Sequence, residues 1–207
     1  MSLTFEAVDF RSLSQCNIRK IHALLCKAFN GHFTSLLSQQ QLERYFFTMS
    51  HSARYTKCHL ALEGDEIAGF AVLGAEVSLL SIFQKINSLE SLSGVVLLCM
   101  RLAKNPRILL STIKNIVNRN VRGQKFEVQV NNGTYLAYIC VDNLSATKGI
   151  GSKLMQSINQ TLAELNIPFM YCYMDATSLQ VMRYYIKNGW TVESKSSTRS
   201  LAWYKVY

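Results

Sequence analysis

Tyr135-Leu-Ala-Tyr-Ile-Cys-Val-Asp-Asn-Leu-Ser-Ala-Thr-Lys-Gly-Ile-Gly-Ser-Lys-Leu-Met155 reads as a strand, a short polar loop, and two glycines that open a helix. Tyr135 to Val141 is apolar enough for a buried strand, and Leu154, Ile158, Leu162 and Leu165 recur three or four apart, as on one helix face. Gly149 and Gly151 carry no Cβ, so the backbone there can approach a ligand closely. The first turn of a helix presents N–H groups without intrahelical partners and a partial positive charge. Together these features make an anion site suited to a pyrophosphate. The pattern is not a P-loop, because no G-x-x-x-x-G-K-[ST] occurs. It is not a dinucleotide fingerprint either, because G-x-G-x-x-G fails at Leu154.

Working outward, Phe5 to Phe10 alternates weakly and predicts a first strand. Ile18, Ile21, Leu24, Leu25 and Ala28 predict a helix over Asn17 to Phe29, ended by Asn30-Gly31, and a second helix runs from Leu37 to Met49. Cys58 to Leu62 and Ile67 to Leu73 predict strands joined by the tight turn Glu63-Gly64-Asp65-Glu66. Past the central stretch, Phe169 to Met174 predicts another strand. Ser178 to Lys187 predicts a helix, and Trp190 to Ser194 with Ser200 to Tyr207 a closing hairpin. The order β-α-α-β-β-insert-β-α-β-α-β-β implies an α/β or α+β fold, a twisted mixed sheet flanked by helices.

The insert, about residues 76–124, carries amphipathic stretches around Leu79–Leu89 and Leu109–Val117. Between them, Leu92 to Ala103 is apolar almost all round. Such a segment should be buried against protein or rest on a membrane surface, and burial is the expectation.

With 207 residues, 49% of them apolar, two prolines and no Gly/Ser-rich linker, the chain reads as one domain over 1–207. The longest apolar run, Val95 to Met100, ends at Arg101, far short of the roughly 20 residues that span a bilayer. The first residues lack the order of a secretory signal, so a cytoplasmic location is expected. Six cysteines without a C-x-x-C pair and four scattered histidines argue against a disulfide framework and against a metal. The net charge of +9 favours an anionic partner. Between Ala75 and Lys125, eight basic residues face two acidic ones, Glu76 and Glu90.

Val141, Lys148, Gly149, Ile150 and Gly151 also match a V-x-P-x-x-R-G-K-G-I-G pattern. Downstream, Tyr185, Lys187 and Gly189 match N-x-x-A-x-x-x-Y-x-K-x-G-F, with Trp190 in place of the phenylalanine. On these motifs the chain resembles the GNAT superfamily of N-acetyltransferases, over about 15–75 and 125–207. Asn143, Ala146, Ser178 and Val181 depart from the usual Pro, Arg, Asn and Ala.

The resemblance implies a GNAT-like, mostly antiparallel sheet whose central strand splays from its parallel neighbour, and acyl transfer from acetyl-CoA to a primary amine. It assigns cofactor binding to Ile139, Cys140 and Val141 for the pantetheine. Ala146, Thr147, Lys148, Gly149, Ile150, Gly151 and Ser152 fall to the pyrophosphate loop, and Ser178 lies at the start of the next helix. Tyr185 maps onto the tyrosine that protonates the leaving thiolate, as suits a phenol near a sulfur. Asp175 and Glu127 are candidate bases, and His32 and Phe33 lie where the acceptor should bind. No metal is implied.

The basic insert suits a small acceptor carrying phosphate, such as an amino-sugar nucleotide. Other readings are a membrane-peripheral acyltransferase, with the insert on anionic lipid, and a non-catalytic acyl-CoA-binding module. The last strands could pair between chains in a homodimer. Nucleic acid is not expected, since no stacking or recognition motif occurs.

Overall fold

The computed structural model describes residues 3–29, 33–52, 55–75, 89–110, 113, 133–142, 149–175, 177–194 and 199–206. Seven strands form one sheet in the order β1-β2-β3-β4-β5-β7-β6. They are β1 Leu3–Val8, β2 Lys57–Glu63, β3 Glu66–Gly74, β4 Thr134–Val141, β5 Phe169–Asp175, β6 Thr191–Ser194 and β7 Arg199–Lys205. All neighbours are antiparallel except β4 and β5, so the sheet is mixed and mostly antiparallel, as the sequence predicts.

Alternation along the strands splits the core into layers. On one face lie α1 (Gln15–Ala28) and α2 (Gln39–Ser52). The hydroxyl of Ser14 caps α1 by accepting the Asn17 N–H at 3.1 Å. The helices bury Ile18, Ile21, Leu25, Leu42, Phe46 and Met49 against Cys58, Leu60, Phe70, Val72, Tyr138 and Cys140. On the opposite face α4 (Ile150–Glu164) and α5 (Leu179–Lys187) bury Met155, Ile158, Leu162 and Tyr185 against Ala71, Leu73, Leu136, Met170 and Cys172.

Strand β4 carries an irregularity that its apolar run does not announce. Leu73 pairs with Leu136 but Val72 pairs with Tyr138, so Ala137 is an extra residue, a β-bulge. A bulge bends its strand and increases the local twist. β4 stays paired with β3 as far as Val141, but pairs with β5 only at Thr134–Met170 and Tyr135–Tyr171. Beyond that joint the two parallel strands separate.

Of the insert, helix α3 (Leu89–Ala103) is described, and 106–110 is helical again. The amphipathic stretch predicted around Leu79–Leu89 lies mostly outside the described residues. Of the apolar segment Leu92 to Ala103, side chains are described from Val96 onward, and there the expected burial holds on one side only. Leu98 is buried and Leu102 packs on the core, while Val96, Leu97 and Met100 are exposed. Among the described residues, one side of α3 meets protein, chiefly at the short 3₁₀ turn Phe33–Leu36. There Arg101 Nη1 donates to the Leu36 carbonyl at 2.9 Å.

His59 in β2 is buried between Ala7 and Ala71, with its Nε2 3.0 Å from the Tyr55 hydroxyl and its Nδ1 without a partner among the described residues. Burial, aided by the Lys57 charge, lowers its pKa from 6.5 to about 4. The unfolded chain therefore takes up this proton first on acidification. Stability from this group is complete above pH 6.5 and is lost as pH falls toward 4, by about 3 kcal/mol. Urea unfolding midpoints measured between pH 7 and pH 4 should fall more steeply in the native chain than in His59→Gln. Parallel slopes would contradict a buried neutral imidazole.

Candidate active site

The gap between β4 and β5 is the centre of the site. The Asp142 N–H donates to the Ala68 carbonyl at 2.9 Å, which fixes the alternation along β4. Cys140 and Phe70 then exchange hydrogen bonds on the β3 side, while the N–H and C=O groups of Ile139 and Val141 point toward β5. Because β5 has moved away, Ile139 and Val141 present a strand edge to the gap. Cys140 contributes its place in the ladder. Its thiol is buried toward α1, near the Leu24 carbonyl, and burial pushes its pKa up to about 11.

Helix α4 starts at the open end of this gap. Gly149 stands before it at φ 68°, in the left-handed region, and makes no side-chain cap. The first intrahelical bond is Lys153 N–H to Gly149 O at 3.1 Å, so the N–H groups of Ile150, Gly151 and Ser152 precede the helical ladder. The two glycines act for different reasons. A Cβ on Gly149 would meet nothing within 4 Å, so glycine is needed there for its backbone angle. A Cβ on Gly151 would stand 3.1 Å from the Tyr184 hydroxyl, so glycine is needed there for space.

That phenol is the functional group the sequence reading missed. Tyr184 lies on α5, and its hydroxyl is buried without a hydrogen-bond partner among the described residues. Burial raises its pKa to about 12, so it is a protonated donor at neutral pH. An orphaned buried hydroxyl costs about 1–3 kcal/mol, which a bound acceptor atom would return. The only hint in the sequence is the Tyr184-Tyr185 pair, since Gly151 is distant along the chain.

Tyr185, the predicted acid, is buried at the closed end of the gap. It packs edge-on to Trp190 at 4.8 Å, and its hydroxyl is hydrogen-bonded to Cys172. Burial and the neighbouring Cys172 hold its pKa well above the ordinary phenol value. Tyr135, Tyr171 and Tyr173 cluster beside the joint, with Tyr135 and Tyr171 5.3 Å apart.

Asp175 ends β5 at the mouth of the gap. It is exposed, and its Oδ1 accepts the Thr177 N–H at 2.8 Å and the Thr177 hydroxyl at 2.7 Å. Ser178 precedes α5 and makes no side-chain cap. Asp142 is ion-paired with Lys27 of α1 at 2.7 Å, which ties the end of β4 to α1. Phe33 begins the 3₁₀ turn beyond α1, although its side chain is not among those described. Glu127, His32, Ala146, Thr147 and Lys148 lie outside the described residues.

The donor set fits coenzyme A: a bare strand edge for an extended amide chain, an uncapped helix start, and a buried phenol. No family model and no curated protein matches the sequence. Solved structures do match the fold. An acetyltransferase of the GNAT family from Staphylococcus aureus Mu50 superposes with a TM-score of 0.59 at 10% identity, covering 100% of both chains. Ard1 from Thermoplasma volcanium gives 0.59 at 12% identity over 100% of this chain and 99% of that one. The PaiA N-acetyltransferase from Thermoplasma acidophilum, solved in complex with coenzyme A, gives 0.56 at 12% identity over 99% of both.

Substitutions at the two glycines should separate their roles. Gly149→Ala is expected to cost roughly 1–2 kcal/mol of stability, and Gly149→Asn less, because asparagine tolerates the left-handed region. Gly151→Ala should cost about 1 kcal/mol by overpacking and be rescued by Tyr184→Phe in the same chain. Urea denaturation of the four variants reads both effects. Failure of Tyr184→Phe to rescue would show that the phenol does not crowd Gly151.

Proposed function

We propose that this chain, which has the fold of the GNAT N-acetyltransferases, moves an acetyl group from acetyl-CoA to a primary amine. The observation that carries the proposal is that, among the described residues, β4 has no β5 partner at Ile139 and Val141, and the uncapped start of α4 packs beside these two residues. Bound acetyl-CoA supplies the acetyl group as a thioester.

Ile139 and Val141 hold the amide chain of the cofactor as an added strand would be held, with Cys140 keeping that edge aligned through its pairing to Phe70. The N–H groups at Gly149, Ile150, Gly151 and Ser152 bind the pyrophosphate, where the helix dipole favours negative charge. By the family resemblance, Ala146, Thr147 and Lys148, which precede Gly149 in the chain, and Ser178 before α5 also belong to the cofactor site. Tyr185 keeps its proton because it is buried, and it donates to the departing sulfur as the amine takes the acetyl group. Asp175, at the mouth of the gap, receives the proton released by the amine, with one oxygen steadied by Thr177. Glu127 is the alternative base. The acceptor enters from the side of α1 and the turn Phe33–Leu36, near His32 and Phe33. The basic balance of the chain favours an acceptor that carries phosphate.

Thermal unfolding with acetyl-CoA, CoA or ATP as separate additions tests the cofactor site. A ligand present at about 100 times its dissociation constant adds roughly 2.7 kcal/mol, which raises the midpoint by several degrees in a chain of this size. A rise with acetyl-CoA and CoA, little rise with ATP, and loss of the rise in Gly151→Trp is the expected result. No rise with millimolar acetyl-CoA would reject the site. Free-thiol release on a panel of amines tests the reaction. Tyr185→Phe should lower kcat about 100-fold while keeping the thermal shift. Thermal shift without thiol release on any amine would favour a non-catalytic acyl-CoA-binding module, which the departures at Ala146 and Ser178 would then explain.

A further inference from the structure

Helix α3 has two faces of opposite character. Toward the protein, Leu98 is 1% exposed, Leu102 packs on the core, and Arg101 is fixed on Leu36. Toward the outside, Val96 is 51% exposed, Leu97 42% and Met100 50%, and on the continuation of the chain Leu110 is 66% and Ile113 47% exposed. Val96 and Met100 stand one helical turn apart with Leu97 beside them, so they form a patch and not scattered single residues. Elsewhere among the described residues, Phe47 and Leu165 are exposed on separate elements, and Leu179, Val181 and Ile186 are exposed on α5, with Leu179 and Ile186 two turns apart.

Charge indicates what covers the patch. Lys104, one turn beyond Met100, and Arg107 are both exposed. From Ser91 to Phe126 the sequence holds seven basic residues and no acidic one. No aromatic residue occurs between Ser91 and Lys125, so the segment has no platform for stacking bases. It also lacks the aromatic anchors that mark the core of a protein interface. Aliphatic side chains bordered by Lys and Arg suit the boundary between acyl chains and anionic headgroups. No helix among the described residues is long and apolar enough to cross a membrane, so contact would be peripheral.

We infer that the outer face of α3, with Val96, Leu97, Met100, Lys104 and Arg107, docks the protein on an anionic lipid surface. The contact does not require the proposed catalysis, and its test is independent of it. The full chain is sedimented with vesicles of phosphatidylcholine alone and of phosphatidylcholine with about one-third phosphatidylserine, at low salt and at about 0.5 M salt.

Binding to the anionic vesicles at low salt, weakened at high salt, is expected. Val96→Ser, Leu97→Ser and Met100→Ser combined should weaken it tenfold or more, and Lys104→Glu with Arg107→Glu should do the same at low salt. Both variants should keep the native melting temperature and its rise with acetyl-CoA, so failure of docking and failure of the proposed function are distinguishable. No binding by the native chain to anionic vesicles at low salt would overturn the inference. So would binding that survives both variants. A dimer that the apolar variant converts to monomer, without vesicle binding, would reassign the face to a second copy. Binding of a short RNA in place of vesicles would reassign it to nucleic acid.

Discussion

Everything at the site depends on β4 being shared unequally by its two neighbours. β3 holds it as far as Val141, while β5 holds it at two residue pairs and then leaves. The bulge at Ala137 lies where this change of partner begins, and its extra residue alters which side chains face which helix layer. Leu136 faces α4 and α5 with Leu73, whereas Tyr138 faces α1 and α2 with Val72. The strand thereby serves both cores and still leaves Ile139 and Val141 with edge groups to offer. An open edge in the middle of a sheet is an energetic loss for the apo chain. It persists because α1 and α2 on one face and α4 on the other hold β4 without help from β5.

Polar groups around the gap fall into two kinds. Some are fully engaged in structure: Asp142 by Lys27, Asp175 by Thr177, and His22 by donating to the Leu37 carbonyl at 2.8 Å. Others are left wanting, above all the Tyr184 hydroxyl and the first N–H groups of α4. Among the described residues, one buried phenol without a partner beside the free N–H groups of a helix start forms an electrostatic demand that an oxygen-rich ligand satisfies. The exposed ion pair between Lys27 and Asp142 contributes little energy by itself. Its effect is to fix direction at the place where the chain turns from β4 into the loop.

Much of the architecture was legible in sequence because period decides it. The five-residue apolar face of α1 and the apolar runs of β2, β3 and β5, bounded by turn residues, each select one element, and these elements lie within a few residues of their expected bounds. Gly149 was legible as a special position, and its left-handed angle gives the reason. The bulge was not legible, because a run such as Leu136-Ala-Tyr-Ile-Cys140 is apolar on both faces and hides a change of phase. Tyr184 was hidden for a different reason. Its importance comes from a contact with Gly151, and one sequence without pairing information does not reveal contacts between helices. The outer face of α3 misled in the other direction. Apolar composition on all sides argues for burial, but composition does not say how much protein is at hand to bury it.

The two-pair joint between β4 and β5 also divides the sheet mechanically. β1 to β4 form one plate and β5 to β7 another, joined through the ladder at Thr134–Met170 and Tyr135–Tyr171. Within each plate, displacement of one strand is resisted by full ladders. Between the plates, the ladder consists of two residue pairs. The two half-sheets nevertheless share one core beneath the joint, where Ala71, Leu73 and Leu136 pack in one cluster with Met170, Cys172 and Ala202, so side-chain packing and not the backbone ladder carries the continuity of the sheet across the opening.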